Sequence, residues 1–205
     1  MQLADMLQGY HGSDALVVAI PAGGVPVAIE VASRLALPLE VAPVSKVLLP
    51  WTTEAGFGAV AFDGTVWLDD EAVQRFSLSE RQVADAVAQA RAKVERRLVA
   101  LHGARPPATF TGRPVMLLDD GIAAGSTMRT AIAAARRQAA VRVVVAVPTG
   151  HQSAIEAIAA LADDVYCANI REGGRFAVAD AYDEWSDVED DEVMQALAPL
   201  MAPRP

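Results

Sequence analysis

Two neighbouring carboxylates, Asp119 and Asp120, close an apolar run and stand directly before the small-residue loop Gly121-Ile122-Ala123-Ala124-Gly125 and the hydroxyls of Ser126 and Thr127. Like charges repel, so a carboxylate pair beside an anion pocket is useful only if it grips something else. The hydroxyls of a sugar or a metal ion would serve. The small residues let the main chain close around a phosphate, and the amides that open a helix attract an anion. A second loop, Ala22-Gly23-Gly24, has the same character, because it is a glycine turn between an apolar run and a helical pattern. Lys46 is a cation within another apolar run.

These groups must be delivered by regular elements. Leu16 to Ile20 and Val115 to Leu118 are short, nearly continuous apolar runs, as expected of strands buried on both faces. Leu39 to Leu49 reads as one further strand passing into a loop, and Val141 to Val147 and Val165 to Ala168 complete the set. Helices are expected over Val25 to Leu37, Ser79 to His102, Thr127 to Ala139, Ser153 to Ala162 and Asp187 to Met201. Pro26 is tolerated in a first helical turn. Ser79 with Gln82 resembles a capping box, and Val83, Val87, Ala90, Val94, Leu98 and Leu101 form a core-facing stripe. Asp63-Gly64 between Phe57 to Phe62 and Thr65 to Leu68 signals a hairpin. Strands alternating with helices predict an α/β fold: a doubly wound, mainly parallel sheet with a flap hairpin and a small C-terminal hood. We expect one domain over residues 1–205, with the core at about 15–168, the flap at about 47–68, and the hood and last helix at about 169–201. Ligands of such sheets bind outside the carboxyl ends of the strands, so loops 21–24, 46–56, 119–127 and 148–151 should share one rim.

Composition narrows the classes. The 205 residues are 53% hydrophobic and 21% charged, with a net charge of −9, which is globular and argues against nonspecific nucleic-acid binding. One cysteine, Cys167, forms no internal disulfide, and His11, His102 and His151 are too scattered in sequence to predict a metal site. There is no basic segment ahead of an apolar stretch and no apolar run of membrane length, so a cytoplasmic protein without membrane partners is expected. The glycine loop lacks the Gly-x-Gly-x-x-Gly spacing of dinucleotide-binding domains.

Taken in order, these motifs resemble those of type I phosphoribosyltransferases. Val115 to Thr127 resembles the family's phosphoribosyl-diphosphate signature, and Ala19 to Ala28 looks like its pyrophosphate loop. The region 47–68 is similar to the mobile flap, and the tail to the hood that holds the acceptor. Gly23-Gly24-Val-Pro-Val-Ala28, Phe57-Gly-Ala-Val-Ala61 and Phe176-Ala-Val178 are most similar to a bacterial subgroup of predicted phosphoribosyltransferases. The resemblance implies transfer of phosphoribose from phosphoribosyl diphosphate to an unidentified acceptor, with a nucleobase-like one as the candidate class, release of pyrophosphate, and Mg²⁺ as cofactor. It implies catalytic roles for Asp119, Asp120 and Lys46, and makes Asp119 and Asp120 the metal-side carboxylates. Ala22, Gly23 and Gly24 would meet pyrophosphate. Ala123, Ala124, Gly125, Ser126 and Thr127 would cradle the 5-phosphate, and Gly121 would bind substrate in the same loop. Phe176 would stack on the acceptor or pack the hood, as would Tyr182. Trp51 would cap the site or pack on the hairpin. A homodimer is expected by analogy with the family.

Three positions depart from the family pattern. Relatives typically carry arginine at positions 22 and 45 and often threonine at 124, where this chain has Ala22, Ser45 and Ala124. The first two fall on the pyrophosphate side, and Arg129, Arg171 and Arg175 are the candidates to supply charge instead. The departure keeps a second reading open: a noncatalytic sensor or regulator that binds a ribose 5-phosphate unit or a nucleotide. A hydrolase, or another transferase acting on a sugar phosphate, is the third.

Overall fold

A computed structural model describes residues 2–53, 55–102, 109–174, 176–186 and 188–201. Its centre is a five-stranded, wholly parallel sheet of β1 (Leu16–Ala19), β2 (Leu39–Val41), β6 (Pro114–Leu118), β7 (Arg142–His151) and β8 (Asp164–Arg171), in the order β2-β1-β6-β7-β8. A separate antiparallel sheet holds β3 (Val44–Leu48), β4 (Gly56–Ala61) and β5 (Val66–Leu68).

Strand side chains alternate between two cores, as the pleat requires. Val17, Ala19, Met116, Leu118, Val144 and Ala146 face α2 (Gly24–Leu35), with α1 (Gln2–Met6) beside it over β7 and β8 and α7 (Asp190–Met201) against α2. Leu16, Val18, Val115, Leu117, Val143 and Val145 face α5 (Ser126–Arg137) and α6 (Gln152–Ala159). Helices on both faces explain why these strands read as unbroken apolar runs.

The run from Leu39 to Leu49 is not one strand. It breaks at Ala42-Pro43, and Pro43 has no amide to donate to a ladder. The first piece, β2, borders β1, whereas β3 crosses into the small sheet. The flap is therefore a three-stranded sheet with two helices, α3 (Asp70–Arg75) and α4 (Glu80–His102), instead of a lone hairpin. Helix α3, absent from the sequence expectation, is capped by Asp69, whose side chain accepts from the Ala72 amide at 3.0 Å. The capping box at Ser79 forms, with its amide donating to Gln82 Oε1 at 3.0 Å and the Gln82 amide donating to Ser79 Oγ at 3.4 Å. The apolar stripe of α4 packs Ala90 and Val94 with Val47, Phe57 and Val60 of the small sheet. The sheet's other face lies against α5, with Val44, Ala59 and Ala61 in that core. At the hairpin, Gly64 has φ of +82°, and the Thr65 amide donates to Asp63 Oδ1 at 2.9 Å.

Boundaries moved elsewhere too. Helix α2 ends at Leu35, two residues early, because Ala36 adopts the left-handed conformation. Strands β7 and β8 run on through His151 and Arg171, so residues 148–151 are paired strand, not loop. Helix α7 starts at Asp190, three residues later than expected. No helix among the described residues is long and apolar enough to cross a membrane.

Candidate active site

Strands β1 and β6 are neighbours, yet the chain leaves them in opposite senses. After β1 it climbs into α2 on one face, and after β6 into α5 on the other. Such a divergence opens a crevice between the two loops at the strands' carboxyl ends. Both glycine-containing loops flank it. They line a cleft of about 1490 Å³ together with Lys46, helix α4 and the hood.

The two loops are locked against each other. A Cβ placed on Gly23 would overlap the Asp120 carboxylate, with Cγ at 2.6 Å, and one on Gly24 would lie 2.6 Å from the Leu118 carbonyl oxygen. Glycine at both positions lets the first loop sit directly on Asp119-Asp120. The Gly24 amide is already used, donating to Ile20 O at 3.1 Å, and the Val25 amide donates to Ala22 O at 3.0 Å. Of the residues proposed to meet an anion there, Ala22 and Gly23 keep amides with no carbonyl acceptor among the described residues.

Asp119 is held by the Asp120 amide, which donates to its Oδ1 at 2.9 Å. Enclosure raises the pKa of Asp119 well above the usual 3.8, and the neighbouring Asp120 charge raises it further. Asp120 is raised for the same first reason, against hydrogen bonds from Asp119 and Gly121 that favour its ionised form. Lys46 lowers both. Lys46 lines the same cleft from β3 of the small sheet.

The loop after Asp120 ends at Gly125, which has φ of +81° and opens α5 without a side-chain cap. Residues without glycine's freedom rarely adopt that backbone. The first amide of the helix to find a carbonyl is Arg129, donating to Gly125 O at 2.9 Å. The amides before it, with the hydroxyls of Ser126 and Thr127, line the cleft as a ready anion cradle. The loop is braced by Ile122, whose amide donates to Thr149 O at 3.1 Å and whose carbonyl accepts from the His151 amide at 2.8 Å.

The hood closes the other side. Val178 packs on Gly121, where an added Cβ would meet its Cγ1 at 2.7 Å. Tyr182 donates its hydroxyl to the Asp120 carbonyl oxygen at 2.7 Å, and burial with the nearby Asp120 and Asp119 charges pushes its pKa up to about 12. Tyr182 stays a donor at every physiological pH. Its replacement by phenylalanine should cost about 1 kcal/mol of stability, the net worth of one such bond, measurable by denaturant titration. An unchanged midpoint would show that the hood is held by packing alone.

The sequence profile of the phosphoribosyl transferase domain matches residues 2–181. The chain belongs to the phosphoribosyltransferase family. A Mycobacterium tuberculosis protein named as a predicted phosphoribosyl transferase, found in strains H37Rv and CDC 1551, is 37% identical over 197 residues. That alignment takes in 96% of this chain but 44% of the relative, so the chain spans under half the length of the curated relatives it matches. The crystal structure of TT1426 from Thermus thermophilus superposes with a TM-score of 0.78 at 32% identity, covering 98% of this chain and 94% of that one. This member of the family has the α/β architecture expected from its sequence.

Every residue proposed for the site lies at one rim except Gly24, whose side of the loop is turned into the protein. Ala22, Gly23, Lys46, Asp119, Asp120, Gly121, Ala123, Ala124, Gly125, Ser126, Thr127 and Phe176 all line the cleft. Of the cations proposed to offset Ala22 and Ser45, the two that are described, Arg129 and Arg171, do not. Arg129 stacks over Trp67 at 5.1 Å, Arg171 donates to Asp180 O at 2.9 Å, and Arg175 lies outside the described residues. Trp51 contacts Phe76, with ring centroids 6.0 Å apart, and is 60% exposed, so it packs at the flap edge away from the cleft lining. His151 anchors the start of the hood, its Nε2 2.8 Å from Gly173 O and its Nδ1 2.8 Å from Ser153 Oγ. What the sequence reading missed is that α4 reaches the site, where it contributes Lys93, Arg96 and Arg97 to the lining. The signal was present as basic residues at helical spacing beside the apolar stripe.

Proposed function

We propose that this phosphoribosyltransferase transfers the phosphoribosyl group of phosphoribosyl diphosphate to a planar, nucleobase-like acceptor. One observation carries the reading: two carboxylates and an uncapped helix start share one loop at the β1–β6 divergence, facing a glycine loop that presses on them. A ribose phosphate needs this combination. Asp119 and Asp120 accept hydrogen bonds from the ribose hydroxyls, and the amides and hydroxyls at 125–127 hold the 5-phosphate. The acceptor nitrogen attacks C1 as the C1–O bond to the diphosphate breaks, and its pair of electrons leaves with pyrophosphate. Lys46 and the Ala22 and Gly23 amides oppose the charge that builds on the leaving group.

The donor set suits a hard divalent cation. Two adjacent carboxylates supply oxygens, and no group of three or more His, Cys, Asp or Glu converges among the described residues. Mg²⁺ is commonly held by one or two carboxylates, with phosphate oxygens and water completing the shell. Asp119 and Asp120 would hold it, and it would neutralise diphosphate charge. Phe176, Tyr182 and Trp185 give the hood an aromatic lining suited to a flat acceptor.

Incubation with phosphoribosyl diphosphate, Mg²⁺ and a panel of nucleobases should release pyrophosphate with at least one acceptor. Tight binding of ribose 5-phosphate without release from any acceptor would favour the sensor reading that Ala22 and Ser45 raise.

A further inference from the structure

The cleft has a charge layout that the two loops alone do not explain. Along α4 the residues that reach it are Ala86, Gln89, Ala90, Ala92, Lys93, Arg96 and Arg97, with Gln89, Lys93, Arg96 and Arg97 spaced so that they share one helix face. Beside the buried Ala90 and Val94, which fix α4 on the small sheet, this face turns three cations in succession towards the cavity. Lys93 and Arg96 are exposed, and no carboxylate pairs with either among the described residues. Arg97 is different. It is largely enclosed, pairs with Asp190 of α7 at 2.8 Å, and donates through Nη1 to the Pro21 carbonyl oxygen at 3.3 Å. The basic face is thereby tied to the residue that begins the Ala22-Gly23 loop.

The net charge of the chain is −9, so three cations gathered on the wall of its large cleft need a reason. Ion pairing supplies it for Arg97 alone. The 5-phosphate cradle at α5 and the carboxylate pair lie on the loop after β6, whereas α4 adjoins the first loop, where only two amides are uncommitted. Lys93 and Arg96 are three residues apart on one face, about 4.5 Å along the axis, close enough for both to meet one diphosphate.

We propose that Lys93 and Arg96, with the first loop held by Arg97, form the second anion subsite of this cleft and take the diphosphate of the donor. The assignment rests on the phosphoribosyl-transfer reading for the identity of the donor, but its anion chemistry can be tested apart from it. Lys93 and Arg96 neutralise the diphosphate from the flap side. Arg97 is a positioning residue, since it acts through the Pro21 carbonyl and Asp190.

The test is calorimetric titration of the full chain and the double variant Lys93→Ala/Arg96→Ala with Mg²⁺-pyrophosphate, Mg²⁺-phosphoribosyl diphosphate and ribose 5-phosphate. Both side chains are exposed, so the variant should fold, and an unchanged thermal midpoint confirms it. We expect at least a tenfold loss of affinity for pyrophosphate and for the diphosphate donor, and less than a twofold change for ribose 5-phosphate. Lys93→Arg should retain wild-type affinity for pyrophosphate. If the variant binds pyrophosphate as tightly as the wild type, or if all three ligands weaken equally, the subsite is overturned while the transfer reading stands. If pyrophosphate binding is lost in the variant but ribose 5-phosphate binds neither protein, the subsite holds and the phosphoribosyl reading falls. Failure of the wild type to bind either diphosphate overturns both.

Discussion

Gly24→Ala is expected to melt about 6–12 °C below the wild type, a loss of roughly 3 kcal/mol at the 2–4 °C per kcal/mol typical of this chain length. The new methyl would sit 2.6 Å from the Leu118 carbonyl oxygen and 2.9 Å from Asp119 Cα. Both are backbone atoms of β6 and its exit, so neither can rotate away. Relief requires α2 and β6 to separate, and overpacking of this kind costs about 1–3 kcal/mol and sometimes more. Gly23→Ala should behave differently. Its methyl meets the side chain of Asp120, which can turn aside. That variant should stay within about 1 kcal/mol of the wild type in stability but lose ribose 5-phosphate binding, because the displaced carboxylate is the one proposed to hold the sugar. Differential scanning fluorimetry with calorimetry separates the two outcomes. Equal melting points for Gly24→Ala and the wild type would mean that the loops are not pressed together as described.

Asp119→Asn should raise the melting point of the metal-free protein while cutting transfer about 100-fold or more. Enclosure and the Asp120 charge push the Asp119 pKa up in the folded state. A carboxyl with a raised folded pKa contributes stability below its unfolded value, near 3.8, and loses that contribution as the pH rises through the folded value. Above the unfolded value the wild type carries a growing cost from two crowded carboxylates. Asparagine has no charge to crowd, and its Oδ1 can still accept from the Asp120 amide. The gain should be about 1 kcal/mol, or ~2–4 °C, and should vanish as the pH falls towards 4. Measured in EDTA across pH 4 to 8, a difference that grows on acidification would refute the assignment. Transfer should fall about 100-fold or more, since charge-assisted bonds to the ribose hydroxyls are worth roughly 1.5–3 kcal/mol each.

The parts of the site that were legible in sequence are those made by contiguous residues. Asp119 to Thr127 is one strand exit and one helix start, so local chemistry names it without reference to the rest of the chain. The first loop was legible for the same reason, although its hydrogen bonding was not. That Gly24 points inward follows from its distance to Leu118, a residue far away in sequence. The break at Pro43 left a visible mark, but a short apolar run does not say which of two sheets it joins. The basic face of α4 was hidden differently. Its residues look like the solvated side of an amphipathic helix, and only the packing of α4 on the small sheet turns that side towards the cleft. Arg129 and Arg171 failed as candidates because proximity in sequence to the signature loop and the hood does not fix where a long side chain ends. Each found a partner outside the cavity.

The pairing of β1 with β6 has a kinetic meaning. It sets Leu16 against Val115, so the entire flap, with α4, must be looped out before these strands can zip together. Parallel pairings across such separations are slow to form, because chain entropy is spent before any contact rewards it. Until that event the two loops of the cleft belong to different halves of the chain. Binding competence should therefore appear in the last phase of refolding, together with the full near-ultraviolet signal and after most helical signal has returned. A ligand bridging both loops would act on the reverse step, slowing the unzipping of β1 from β6 and with it the loss of the native state.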